Sequence, residues 1–201
     1  MTETISPPAP SHQRVVTIPN LLTLGRILTI PFFLVASFRG LYTAAFVLFV
    51  SAAVTDIIDG TIARALDQRS HLGAYLDPIA DKAMMICGYL FYTLNAHVGI
   101  RLPEWLTVVI FIRDALIILF AYLLYTRIRI RRFPPSYVGK VSTLLQAFTL
   151  ATTIGVNSFV PNLIWLAKLC WRLALVATLV SGLDYLRRAN LMLEEVGEER
   201  N

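Results

Sequence analysis

Charge is scarce in this sequence. Asp, Glu, Lys and Arg make up 15% of its 201 residues, where a soluble domain carries about a quarter. With 56% hydrophobic residues and a mean hydropathy of +0.64, a soluble globule could not cover its surface, and intrinsic disorder is excluded by the same figures. An integral membrane protein is what remains. Cysteine is rarer still: Cys87 and Cys170 lie in apolar stretches with no C-x-x-C spacing, so they read as small buried hydrophobes rather than a disulfide or a metal pair. The first eighteen residues lack an apolar core and a cleavage site, and with Pro7, Pro8 and Pro10 they read as a mobile tail, not a signal peptide. No internal repeat divides the chain. The net charge of +5 could suggest nucleic acid, but in a lipid-embedded chain basic residues mark cytoplasmic loops, and no nucleic-acid partner is expected.

What is present is six apolar segments, near Leu21 to Phe38, Leu41 to Ile58, Leu72 to Leu94, Trp105 to Tyr125, Val141 to Val160 and Leu163 to Leu186. Each approaches the roughly 20 residues that cross a hydrocarbon core, and backbone polar groups in lipid require helices there. Turn chemistry separates them at Arg39-Gly40, Gly99 to Pro103, Pro134-Pro135 and around Pro161. With the N-terminus inside, Arg64, Arg69, Arg127, Arg129, Arg131, Arg132, Lys140, Arg187 and Arg188 fall on the cytoplasmic side, against Arg39 and Arg101 outside. The expectation is an all-α polytopic membrane protein: a tail over residues 1–18, one six-helix bundle over 19–188, and an acidic tail over 189–201. Both termini are then cytoplasmic.

Six of the thirteen acidic residues lie near the membrane: Asp56, Asp59, Asp77, Asp81, Asp114 and Asp184. A carboxylate at membrane depth needs a partner and is a functional candidate by default. Asp56 and Asp59 are three apart, Asp77 and Asp81 four apart, so each pair projects from one helix face. Two antiparallel helices joined by a short connection would bring four carboxylates together, and they could not all ionise without one or two divalent cations. Hard oxygen ligands suit Mg²⁺ or Mn²⁺. Gly60, Ala63 and Gly73 permit close approach, Arg64 offers a fork for phosphate oxygens, and Thr61 and Ser70 offer hydroxyls. A phosphoryl-transfer site fits this set, with one carboxylate free to take a proton. Taken singly, the acids could be helix ends facing headgroup water and the glycines could be packing positions.

These residues are recognisable together. Asp56, Asp59, Gly60, Ala63, Arg64, Gly73, Asp77 and Asp81 match D-x2-D-G-x2-A-R-x8-G-x3-D-x3-D, and on that motif the chain resembles the CDP-alcohol phosphatidyltransferases. Ile18 to Arg26 looks like the family's entry helix, and Tyr137 to Gln146 resembles a later segment of its phosphatidylglycerophosphate and cardiolipin synthase members. The resemblance implies a six-helix homodimer in a bacterial plasma membrane whose site opens to the cytoplasm. It implies attack of an acceptor hydroxyl on CDP-diacylglycerol with loss of CMP. By motif position, Asp56, Asp59, Asp77 and Asp81 would hold two Mg²⁺ or Mn²⁺ ions, Asp81 would also be the general base, and Gly60, Ala63, Arg64, Ser70 and Gly73, with Asp59, would hold the CDP-diacylglycerol. Asn20, Thr23 and Arg26 are further candidates for that substrate; helix capping and an outward-reaching arginine are the other reading.

For the acceptor, Arg113, Lys140 and Arg127 are the candidates, since charge in the fourth span and the following loop would attract an anion. The loop arginines also satisfy the positive-inside rule alone. Glycerol 3-phosphate is the expected acceptor, with phosphatidylglycerol, hence cardiolipin synthesis, as the alternative; Arg113-Asp114 departs from the Arg-Glu that phosphatidylglycerophosphate synthases resemble here. An ion or metal transporter would spread acids through several spans instead of clustering them at one end of two. A prenyltransferase would carry D-D-x-x-D clusters, which are absent, and a non-catalytic scaffold would tolerate changes in the eight motif positions.

Overall fold

The computed structural model describes residues 18–65, 71–128 and 136–198, with the side chains of 18–23, 56–65, 71–79, 81, 121, 124–125, 127–128, 189 and 191–198 outside that description. Six helices make up these residues: α1 Ile18–Phe38, α2 Tyr42–Ala65, α3 His71–Leu94, α4 Glu104–Ile128, α5 Tyr137–Ser158 and α6 Ile164–Glu198, the last entered through a 3₁₀ turn at Pro161–Leu163. Among the described residues there is no strand. The all-helical expectation holds. α6 is 35 residues long, about 52 Å at 1.5 Å per residue, and the acidic stretch expected as a tail from residue 189 is helical as far as Glu198.

Local chemistry explains the breaks. α1 ends in a Schellman arrangement: Gly40 takes φ +71°, its N–H donates to Ser37 O at 3.1 Å, and Leu41 N–H reaches back to Ala36 O at 2.9 Å. A glycine carries that left-handed turn without a Cβ penalty. The α3–α4 connection is clamped from a distance by Asn157 on α5, whose amide donates to Ile100 O and accepts from Ile100 N–H, both at 2.9 Å.

The packing runs in two groups. α1 lies against α2 and α3, while α6 lies against α5 and α4, and α2 meets α5 between the groups. The first group is apolar and aromatic, with Phe33, Phe49, Tyr89 and Tyr92 buried. The second has a polar seam. Ser142, Gln146, Thr149 and Thr153 are fully buried along one face of α5; Gln146 Nε2 donates to Thr178 at 3.1 Å, Thr149 Oγ1 to Cys170 O at 3.1 Å, and Trp171 Nε1 to Thr153 at 3.1 Å. Cys170 is buried and Cys87 half-buried, both as free thiols.

Outside, large apolar side chains stand free. Phe32, Phe38, Ile118, Leu144 and Leu183 are each more than 60% exposed, and an apolar exterior with hydrogen-bonding side chains between helices is the pattern of helices packing in lipid. By length and composition Pro161–Arg188 can cross a membrane, with shorter apolar helices at Leu24–Phe38 and Tyr42–Thr55. The polar seam of α5 lowers its mean hydropathy although its outward residues Val141, Leu144 and Phe148 are exposed.

Candidate active site

The motif residues fall on two consecutive helices. Asp56, Asp59, Gly60, Ala63 and Arg64 occupy the last turns of α2, and Gly73, Asp77 and Asp81 the first half of α3. Their side chains lie outside the described residues, as do Ser70 altogether and the side chains of Asn20 and Thr23 on α1 and Arg127 at the end of α4.

A cavity of about 680 Å³ opens beside them. It reaches Ala52 and Ala53, within one turn of Asp56 on α2, and Lys82, the residue after Asp81 on α3. Its polar lining comes from α1, α3, α4, α5 and α6: Arg26, Lys82, Arg113, Asp114, Lys140 and Tyr185, with Ser136 immediately before α5. Among the described lining residues there are four cations and a single acid, a set whose chemistry suits an anion. Phe49, Met84, Met85, Ile117, Ile118 and Leu144 supply an apolar wall to the same cavity.

Arg113 is the best-anchored of these cations. It is 8% exposed; Nε donates to Ser181 Oγ at 3.1 Å, Nη2 reaches the same oxygen and, at 3.5 Å, Gly139 O, and Nη1 donates to Asp114 at 2.9 Å. Its guanidinium also lies 5.6 Å from the centre of the Tyr185 ring, within cation–π range. Gly139 makes room for this: a Cβ there would stand 2.9 Å from Tyr185 Oη and 3.2 Å from Arg113 Nη2. Asp114 accepts from Arg113 on one oxygen and from Lys82 Nζ on the other. Lys140 is exposed, its ammonium 5.6 Å from the Tyr137 ring centre, and Arg26 is 4% exposed and turned into the cavity rather than outward. At the rim, Ser136 Oγ donates to Asp184, which Arg188 Nε also holds at 3.0 Å.

Lys82, Ser136, Gly139, Ser181 and Tyr185 were not singled out as site residues from sequence. Lys82 carried a usable signal: a cation inside an apolar span needs a partner, and Asp114 was a carboxylate in the same position.

Comparison with known proteins finds relatives over most of the chain. The chain is 31% identical over 190 residues to a probable phosphatidylglycerophosphate synthase of Mycobacterium tuberculosis, covering 92% of this chain and 85% of the relative. It is 36% identical over 165 residues to a CMP-forming cardiolipin synthase of Streptomyces coelicolor, covering 75% and 71%. A CDP-diacylglycerol–glycerol-3-phosphate 3-phosphatidyltransferase of Wigglesworthia glossinidia brevipalpis is 35% identical over 106 residues, half of this chain and 56% of that one. The family model described as CDP-alcohol phosphatidyltransferase matches residues 16–183, which takes in α1 to α5 and most of α6, and the chain belongs to the CDP-alcohol phosphatidyltransferase family.

Proposed function

We propose that the protein transfers the phosphatidyl group of CDP-diacylglycerol to glycerol 3-phosphate, releasing CMP, at the cytoplasmic end of a six-span membrane bundle. Phosphatidyl transfer in phospholipid synthesis follows from the family and the names its relatives carry. The observation that supports an anionic, phosphate-bearing acceptor is the cavity beside the motif, with Arg26, Lys82, Arg113 and Lys140 against Asp114 alone among its described lining.

In this reading the acceptor oxygen attacks the phosphorus that carries the diacylglycerol, the bond to the CMP phosphate breaks, and the hydroxyl proton passes to Asp81. Asp56, Asp59, Asp77 and Asp81 would hold two Mg²⁺ or Mn²⁺ ions. Their chemistry fits: four hard carboxylates at i, i+3 and i, i+4 spacing on consecutive helices. When bound, the ions neutralise the pyrophosphate and the charge on departing CMP. Gly60, Ala63, Arg64, Ser70, Gly73, Asn20, Thr23 and Arg26 hold the nucleotide lipid, while Arg113, Lys140 and Arg127 draw in the acceptor.

The free apolar surface supports a membrane setting, and α1 to α5 at 21–25 residues are long enough to cross roughly 30 Å of hydrocarbon. Six crossings would leave both termini on one side, and the basic loops support the cytoplasm as that side. A homodimer in a bacterial plasma membrane completes the reading. A second reading has one observation of its own: the apolar wall from Met84 to Leu144 would suit an acceptor that brings acyl chains, hence phosphatidylglycerol and a cardiolipin product.

Detergent-purified protein with CDP-diacylglycerol and Mg²⁺ decides between them. Release of CMP on adding glycerol 3-phosphate supports the first reading, and release on phosphatidylglycerol alone moves the assignment to the second. No release with either, or with inositol, inositol phosphate or serine, removes the transferase reading.

A further inference from the structure

We propose that Lys82 is the cation that grips the acceptor's phosphate and that Asp114 is the positioning residue that holds it in place. The proposal rests on the reading above of an anionic acceptor and goes beyond the motif, which ends at Asp81.

The three charges differ in how much freedom they have left. Arg113 and Asp114 side chains are 9% and 11% exposed, whereas that of Lys82 is 37% exposed. A guanidinium has five N–H donors, and four contacts of Arg113 go to Ser181, Gly139 and Asp114. Arg113 is thus rooted on α5 and α6, with one donor left among the described residues. Both Asp114 oxygens are engaged, one by Arg113 and one by Lys82. Lys82 is different: an ammonium has three donors, and among the described residues Asp114 takes one. Two donors then remain on a half-exposed head that lines the cavity.

A lysine on its four-carbon stem samples many positions unless something holds it. Here the holding group is itself fixed by a buried arginine, so the chain Ser181–Arg113–Asp114–Lys82 carries a defined position from α6 across α4 to α3. Its free end emerges next in sequence to the proposed base. Removing Asp114 leaves the Lys82 charge in place but unaimed, which makes the two residues separable by experiment.

Steady-state kinetics on the detergent-purified full chain provide the test, with glycerol 3-phosphate and phosphatidylglycerol as separate arms. Lys82→Met raises the KM for the acceptor about ten- to a hundredfold, the loss of a charged hydrogen bond, with little change in the KM for CDP-diacylglycerol. Lys82→Arg recovers part of the loss. Asp114→Asn moves the acceptor KM in the same direction, Asp114→Glu restores it, and neither change adds to Lys82→Met. Additive effects, or equal effects on both substrates, overturn the positioning role. If Asp114→Asn does not fold, Asp114→Glu and Lys82→Met alone carry the same comparison. Direct titration of glycerol 3-phosphate onto the protein without nucleotide lipid separates the two proposals. Lys82-dependent binding without CMP release sinks the transferase reading alone, and normal turnover with binding indifferent to Lys82→Met sinks this one alone.

Discussion

A single methyl group at Gly88 tests how closely α3 is held against the half of the molecule that bears Arg113 and Lys140. A Cβ on Gly88 would stand 2.5 Å from Leu150 Cδ2 and 3.4 Å from Leu150 Cγ, roughly 1 Å inside carbon–carbon contact at the nearer atom. Leu150 is fully buried on α5, and Tyr89, the next residue on α3, donates its hydroxyl to Gln146 O one turn away at 2.9 Å. The leucine therefore has little room to swing and the helices little freedom to part. Overpacking of this kind costs about 1–3 kcal/mol, against about 1 kcal/mol gained by replacing a mid-helix glycine with alanine. Gly88→Ala should be destabilising by up to about 2 kcal/mol, lowering Tm in detergent by up to about 8 °C at about 2–4 °C per kcal/mol. Leu150→Ala alone costs more, about 2–5 kcal/mol. In that background the clash is gone and the propensity gain remains, so Gly88→Ala should raise Tm by about 2–4 °C. Thermal unfolding followed by tryptophan fluorescence reads all four proteins. The same sign in both backgrounds, or stabilisation by Gly88→Ala alone, refutes the close approach of α3 and α5.

Asp81→Asn should lower CMP release by about 10²–10⁴-fold, the usual share of a general base, with Tm near that of the parent; a variant that keeps turning over removes Asp81 as the base. Exhaustive chelation should abolish activity and Mg²⁺ or Mn²⁺ should restore it, while activity that survives chelation excludes the carboxylate metal site. Thr153→Val strands the buried indole N–H of Trp171 and should destabilise by about 1–3 kcal/mol, whereas Thr153→Ser keeps the acceptor. Equal Tm for the two variants would show that this bond does not hold α5 to α6.

The helices were legible because apolar runs of about 20 residues favour helix, but an apolar run does not report where a helix stops. Val141 was expected as the start of the fifth span, yet α5 begins at Tyr137. Its first turn includes Gly139, which packs under Tyr185 and Arg113, contacts made with protein that hydropathy does not record. The end at Leu186 likewise marked a change in polarity along α6, which continues to Glu198. The seam of Ser142, Gln146, Thr149 and Thr153 has helical spacing in plain view, and its reason appears only when Thr178, Cys170 and Trp171 stand opposite. Spacing singled out the four motif carboxylates as a group, and the positions proposed for the nucleotide came from the family resemblance. Arg113 was noticed as a charge in a span, but its partners Ser181 and Gly139 are 68 and 26 residues away, and Lys82 is 32 residues from Asp114. Pairings over such distances depend on tertiary placement, which no local pattern encodes.

In the membrane setting proposed above, those distant pairings matter more than they would in water. Between helices in lipid, apolar burial supplies little preference for one relative position, because the surrounding chains are as apolar as the helix faces. Direction must come from tight packing and from hydrogen bonds that no solvent can replace. The described bonds from α3 to the α4–α6 group are of this type: the hydroxyls of Thr93 and Thr107 at 2.7 Å, Tyr89 to Gln146 O, and Lys82 to Asp114. Bonds of this kind in membrane proteins contribute on average about 0.6 kcal/mol each, too little for any one of them to decide whether the chain folds. Together they set the register of the helix that bears Asp77 and Asp81 against the helices that bear Arg113 and Lys140. Of these bonds only the last reaches the cavity, since Lys82 lines it and the other two are buried in the interior. On the proposal made for Lys82, an arriving phosphate would engage the one link in the set that can exchange partners, and the register fixed by the others would keep its approach aligned with α3.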